Sequence, residues 1–286
     1  MTEGKAVVPD ALDLALKRFL TVSDDIAWNR YTDFDWSAVN CTQPHPLSAV
    51  QIAATKTALM VEDHIPGFAT EYMRLFPVDE SVSPEQVWKN RQTLHFIMRW
   101  ISEEDRHAHV LELYLRETNA VDQEELTQEM VREGVKHYSV PHEDASQLMV
   151  YTTLQEKATQ LFYACLGRAI DEPVLESVLK KLAQDESRHC GFFTDIVRSE
   201  LQVRGDVFLG SIKESMEQFS MPLYDMLDSY KRQAINMIRT AKGYDAREAF
   251  IHMARIIERY VESRTDSRSH TFEDMLRQIH ALVPAR

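Results

Sequence analysis

Along most of the chain apolar residues recur every three or four positions, the spacing that gives a helix one buried face. This pattern predicts a first amphipathic helix over about Asp10 to Leu20, then an irregular aromatic stretch containing Trp28, Tyr31, Phe34 and Trp36. A long helix is expected from near Pro46 to about Phe76. The next begins sharply: Ser83 can cap it, Pro84 suits its first position and Gln86 can close a capping box, so it runs to about Thr118. Asp122 and Glu125 repeat that logic for a shorter helix ending before Pro141. Two more follow, from about Glu143 to Ala169 and from Asp171, past His189, to about Val203. From Asp206 onward the pattern gives three or four further helices, one beginning at Pro222 and one near Asp245.

Four long helices within about 46–203 suggest a bundle, with the segment about 206–286 packed on it. No Pro/Gly/Ser linker interrupts the pattern, so residues 1–286 are expected to form a single domain. Glycine supports the all-α reading: 8 in 286 residues is far below the average of about 7%, so little of the chain needs positive φ.

The formal charge of −13 argues against a general nucleic-acid binder, which carries a basic footprint. The N-terminal residues lack the basic start and apolar run of a signal peptide. No window approaches the about 18 uninterrupted apolar residues of a membrane span, and a cytoplasmic protein is expected. Cys41, Cys165 and Cys190 have no metal-type pairing and read as buried thiols.

Among the eleven histidines, glutamate stands three positions earlier only twice, in Glu104-Asp105-Arg106-His107 and Glu186-Ser187-Arg188-His189. Each pair is preceded by another acid, Glu103 or Asp185, and each carries arginine before the histidine. The i, i+3 spacing puts Glu and His on one helical face, within reach of a common ion. Carboxylate and imidazole without sulfur suit iron or manganese. In bundles of this kind two helices each give Glu-x-x-His and two others each give one inward Glu. Glu62 and Glu156 fill those places, 42 and 30 residues ahead of their pairs. The ligand set read for a dinuclear site is therefore Glu62, Glu104, His107, Glu156, Glu186 and His189. His64 and His109 point away from it.

On these residues the sequence resembles the acyl-[acyl-carrier-protein] desaturases, soluble ferritin-like di-iron enzymes. The family's W-x-x-E-E-N-R-H is similar to Trp100 through His107, its D-E-K-R-H to Asp185 through His189, its Q-E-[RK]-A-T to Gln155 through Thr159, and its E-E-A-L-P to Glu62 through Pro66. The similarity covers roughly residues 25–205. It implies a ferritin-like four-helix bundle with additional packed helices and two iron ions on the six ligands, manganese being accepted by the same donors. It also implies a hydroxyl at Thr159 for oxygen activation and proton delivery, and an electron route from a surface tryptophan, Trp28, through Asp185 to His107. Arg106 and Arg188 are expected to orient ligands from behind.

The activity so implied is oxygen-dependent desaturation of an acyl chain on acyl-carrier protein, with a ferredoxin-type reductant and a homodimeric assembly. Between Ser229 and Tyr260 seven basic residues, among them Lys231, Arg232, Arg239 and Lys242, face three acidic ones. That local excess suits an acidic carrier protein. Two alternatives share the architecture: a di-iron hydroxylase or N-oxygenase of a biosynthetic intermediate, and a non-enzymatic iron-handling protein.

Overall fold

The computed structural model describes residues 11–39, 45–142 and 144–263, together with 277 and 281. Cys41, Glu143 and most of the expected C-terminal helix beyond 263 lie outside the described residues. Among those described the regular structure is helical: α1 (Ala11–Asp25), α2 (Ala49–Glu62), α3 (Ile65–Leu75), α4 (Pro84–Glu117), α5 (Gln123–Gly134), α6 (Ala145–Ala169), α7 (Pro173–Arg204), α8 (Asp206–Glu217), α9 (Tyr230–Thr240) and α10 (Arg247–Glu262). None of the described helices is long and apolar enough to cross a membrane.

The bundle consists of α2, α4, α6 and α7. α6 packs along α7, α2 along α4, and α4 meets α7; α1 covers α4 and α7, α9 lies against α2 and α6, and α10 closes over α6 and α7. This is the ferritin-like arrangement, with extra helices around it. One connected apolar core runs through these elements, and within it Phe19, Phe96, Phe192 and Phe193 interlock. Such aromatic contacts add about 0.5–1.5 kcal/mol each beyond their burial.

Helix starts follow the expected chemistry, with adjustments. Ser83 accepts from the Gln86 backbone N–H, but the Gln86 side chain donates onward to Asn90 and does not complete the box. A full capping box occurs instead at Ser48 and Gln51 on α2. α7 is capped by Glu172, with Pro173 as its first residue.

Two expectations are corrected. The helix read as continuous from 46 to 76 breaks after Glu62, and a second helix starts at Ile65. Pro66 causes this: it has no N–H to donate to the carbonyl four residues back, and its ring crowds that carbonyl. No helix begins at Pro222; turns occupy that segment and α9 starts at Tyr230. Leu223 and Ser229 take positive φ there, 63° and 59°, a conformation that interrupts a right-handed helix. The segment is nevertheless pinned, since Leu223 and Leu227 are buried and Lys136 Nζ donates to the Met226 carbonyl and to Asp228 Oδ1.

Candidate metal centre and apolar slot

α4 and α7 run side by side, so their mid-helix Glu-x-x-His faces confront each other, and α2 and α6 each bring one carboxylate from the flanks. Glu62, Glu104, His107 and Glu186 place donor atoms within 4.8 Å of one another, and so do Glu104, Glu156, Glu186 and His189. The two groups share Glu104 and Glu186. All six side chains are buried. Sequence reasoning thus named the whole cluster, although Glu62 ends α2 rather than lying mid-helix.

The donors point inward without other partners. His107 Nδ1, His189 Nδ1, Glu104 Oε1, Glu186 Oε1 and both oxygens of Glu156 are buried and make no hydrogen bond. His189 Nδ1 lies 2.9 Å from Glu104 Oε1 and 3.4 Å from Glu156 Oε2; His107 Nδ1 lies 3.4 Å from Glu104 Oε2 and 3.3 Å from Glu186 Oε1. Orphaned polar atoms at such depth are costly unless an ion takes them up. Four carboxylates and two neutral imidazoles match two divalent cations in charge and donor type. The residues therefore fit a pair of metal ions.

The outer ring nitrogens are fixed from behind, and crosswise. His107 Nε2–H donates to Asp185 Oδ2 at 3.1 Å, and His189 Nε2–H donates to Glu103 Oε2 at 2.8 Å. The acid that precedes the Glu-x-x-His of one helix thus braces the histidine of the other. In a neutral imidazole each such bond puts the ring proton on Nε2 and keeps Nδ1 for the cluster, the tautomer a metal would need. Arg188 joins the two braces, donating to Glu103 Oε2 at 2.7 Å and to Asp185 Oδ1 at 2.9 Å. Arg106 Nη2 and Trp28 Nε1 also donate to Asp185, each at 2.8 Å. Trp28 stacks parallel to His107 with ring centroids 6.4 Å apart, but it is buried, not the surface tryptophan expected. Glu103 was visible in the sequence only as an extra acid; its partner lies on another helix.

Burial raises the Glu103 carboxyl, yet the bonds and charges of His189 and Arg188 outweigh it and bring the group to about 2. Asp185 is likewise penalised by burial, and His107 and Arg188 hold it far below the usual range. Both braces are therefore anionic. Inside the cluster the balance reverses for three carboxylates: burial, with repulsion from the Glu104 charge, lifts Glu62, Glu156 and Glu186 above the ordinary value.

Beside the cluster an apolar cavity of about 150 Å³ opens between α2, α6 and α9, lined by Ala58, Val61, Phe162, Met237 and Ile238 and reaching Glu62, Thr159 and Tyr163. A smaller void of about 20 Å³ lies against Glu62, Glu104, Glu186 and Thr159. Thr159 borders both, while its hydroxyl donates to the Gln155 carbonyl at 3.1 Å. Tyr163, which sequence reasoning passed over, donates its hydroxyl to Glu62 Oε1. Its signal was its place seven residues after Glu156, on the same helical face. His64 sits at the α2–α3 break and His109 bonds Arg30; neither joins the cluster.

Comparison with known proteins places this architecture. The family described as fatty acid desaturase matches residues 42–281. The chain belongs to the fatty acid desaturase family. Among relatives of this desaturase-family chain is DesA1 of Mycobacterium tuberculosis, provisionally named an acyl-[acyl-carrier-protein] desaturase: 26% identical over 221 residues, 74% of this chain and 60% of DesA1. A chloroplastic stearoyl-[acyl-carrier-protein] 9-desaturase of Arabidopsis thaliana is 27% identical over 180 residues, covering 59% of this chain and 44% of the plant protein. The match thus spans less than two thirds of either relative. The X-ray structure of M. tuberculosis DesA2 superposes with a TM-score of 0.61 at 18% identity, covering 93% of this chain and 99% of that one, a likeness of fold.

Proposed function

We propose that this chain desaturates an acyl chain presented on acyl-carrier protein, with two iron ions held by Glu62, Glu104, His107, Glu156, Glu186 and His189. The observation that carries the proposal is the meeting of an apolar slot with a buried carboxylate–imidazole cluster at Glu62 and Thr159. When bound, the metal pair supplies oxidation of an unactivated C–H bond at the expense of dioxygen. In balance, two hydrogens leave neighbouring carbons and, with dioxygen, two electrons and two protons, become two waters and an alkene.

The residues of the chain do the rest. Ala58, Val61, Phe162 and Ile238 exclude water and seat a segment of alkyl chain; a space of this size takes an apolar group about as large as benzene. Thr159 Oγ1 borders the small void and can hand a proton into it, at the cost of its bond to Gln155. Asp185 and Glu103 keep the imidazoles oriented. Trp28, Asp185 and His107 form a bonded and stacked path for electrons from a ferredoxin-type donor, leading inward from a buried indole. Lys231, Arg232, Arg239 and Lys242 are exposed on and just beyond α9, whose inner side lines the slot. They form a surface suited to an acidic carrier protein. A single-domain, homodimeric, cytoplasmic protein completes the proposal.

The test is single-turnover oxygen exposure of ferrous-loaded, reduced protein with a mixed pool of acyl-carrier proteins, read by intact mass. A loss of two mass units on one acyl species, absent in Glu156→Ala, is expected. A gain of oxygen on the substrate transfers the site to the hydroxylases, and uptake of many irons per chain without substrate chemistry transfers it to iron handling.

A further inference from the structure

The two outlying carboxylates of the cluster are held very unequally. Glu156 lies in the middle of α6, and neither of its oxygens has a hydrogen-bond partner. Glu62 is the last residue of α2, at the break that Pro66 enforces. Its carboxylate nevertheless has an anchor: Tyr163, 1% exposed, donates its hydroxyl to Glu62 Oε1 from across the bundle. Tyr163 stands two helical turns beyond Glu156 on the same face of α6. One helix therefore supplies a donor for one metal position and an anchor for the donor of the other.

We infer that Tyr163 is a positioning residue that orients Glu62 and makes the metal position built on Glu62 and His107 the tighter of the two. The inference rests on the dinuclear reading proposed above. With Oε1 engaged by the phenol, Oε2 is the oxygen left to meet an ion, and the carboxylate cannot swing into the slot it borders. At the other position Glu156 has no such anchor from outside the cluster and lies 3.4 Å from the fellow donor His189 Nδ1. Hydrogen-bond partners behind metal ligands are typically worth about 10–100-fold in metal affinity, so the two ions should bind in resolved steps. The tyrosine also lines the slot wall, and its loss would leave Glu62 free to enter the space reserved for an apolar ligand.

The experiment is an anaerobic cobalt(II) titration of the full metal-free chain, followed by calorimetry and by the visible bands that report coordination geometry. Wild type is expected to take up two ions in two steps. In Tyr163→Phe the tighter step weakens about 10–100-fold, its visible bands change, and the weaker step stays in place, with the melting curve of the metal-free protein confirming the fold. Tyr163→Met removes the same donor with a flexible side chain and supplies the comparison if the phenylalanine variant does not fold. A folded variant that binds two ions with both constants within threefold of wild type, and with unchanged bands, overturns the inference alone. A wild-type chain that takes up no cobalt overturns the dinuclear reading and the inference with it.

Discussion

In the hairpin of α2, α3 and α4, the single glutamate ends a helix and leans on a tyrosine; in the hairpin of α6 and α7, its counterpart sits mid-helix in a run of 25 residues with no hydrogen bond from outside the cluster. The first hairpin reaches its Glu-x-x-His pair through an extra helix and a loop, the second through the residues 170–172. Yet the Glu-x-x-His helices are braced alike, each by the acid of the other. The two halves share their donor atoms and the acids behind their imidazoles, and differ in how the flanking carboxylates are carried.

The comparison can be broken first at the shared ligands. Glu104→Ala removes a donor common to both groups and is expected to abolish stable binding of either ion, whereas Glu156→Ala should retain one; metal content per chain after desalting separates the two. Arg188→Met severs the link between the braces. It strips two buried carboxylates of a cation, and a loss of about 3–5 kcal/mol is expected by chemical denaturation. A loss below 1 kcal/mol would mean that Arg99, which donates to Glu103 Oε1 at 2.7 Å, and Arg106 carry that charge balance unaided.

The braces themselves come next. Asp185→Asn should weaken the ion at His107, and Glu103→Gln the ion at His189, each by about 10–100-fold. Single-site spectral assignment with cobalt checks the crossing: if each variant affects the ion on its own helix, the crosswise reading fails. The smallest effect concerns the cover of the second hairpin, where His252 of α10 bonds Thr194 of α7 at 3.0 Å. Burial and the neighbouring cations Lys157, Arg198, Arg255 and Arg259 hold its imidazole down at about 4. Below about pH 6.5 the unfolded chain takes up a proton that the native chain refuses. The contribution of His252 to stability is therefore complete above that pH and is lost toward pH 4, by about 1–2 kcal/mol once solvent screening is allowed for. Denaturation midpoints should fall over this window in wild type and be flatter in His252→Gln.

The cluster was legible in the sequence because its signals are local: a three-residue spacing repeats on helices long enough to be read from periodicity, and Glu62 and Glu156 appear in the expected order. What was missed depends on contacts between distant segments or on uncommon backbone. Glu103 was visible as an acid, but that its oxygen meets His189, 86 residues on, is set by helix pairing. Tyr163 carried a usable signal, its helical register with Glu156, but looked like any core aromatic. Pro66 was in plain view; its power to end α2 was outweighed in the reading by the apolar pattern that continues on either side of it. The positive φ of Leu223 and Ser229 had no such marker, because neither is glycine, and the start of α9 was misplaced in consequence.

The crossed braces bear on how such a site could have arisen. A lone hairpin with one copy of the motif holds an acid and a histidine that never serve each other, for Glu103 reaches only the imidazole of α7 and Asp185 only that of α4. Two identical hairpins facing each other across a twofold axis would satisfy both at once. The arrangement is what gene duplication leaves when a symmetric pair is fused into one chain: each half retains the prop its twin requires, and neither can drift alone without releasing the other's histidine.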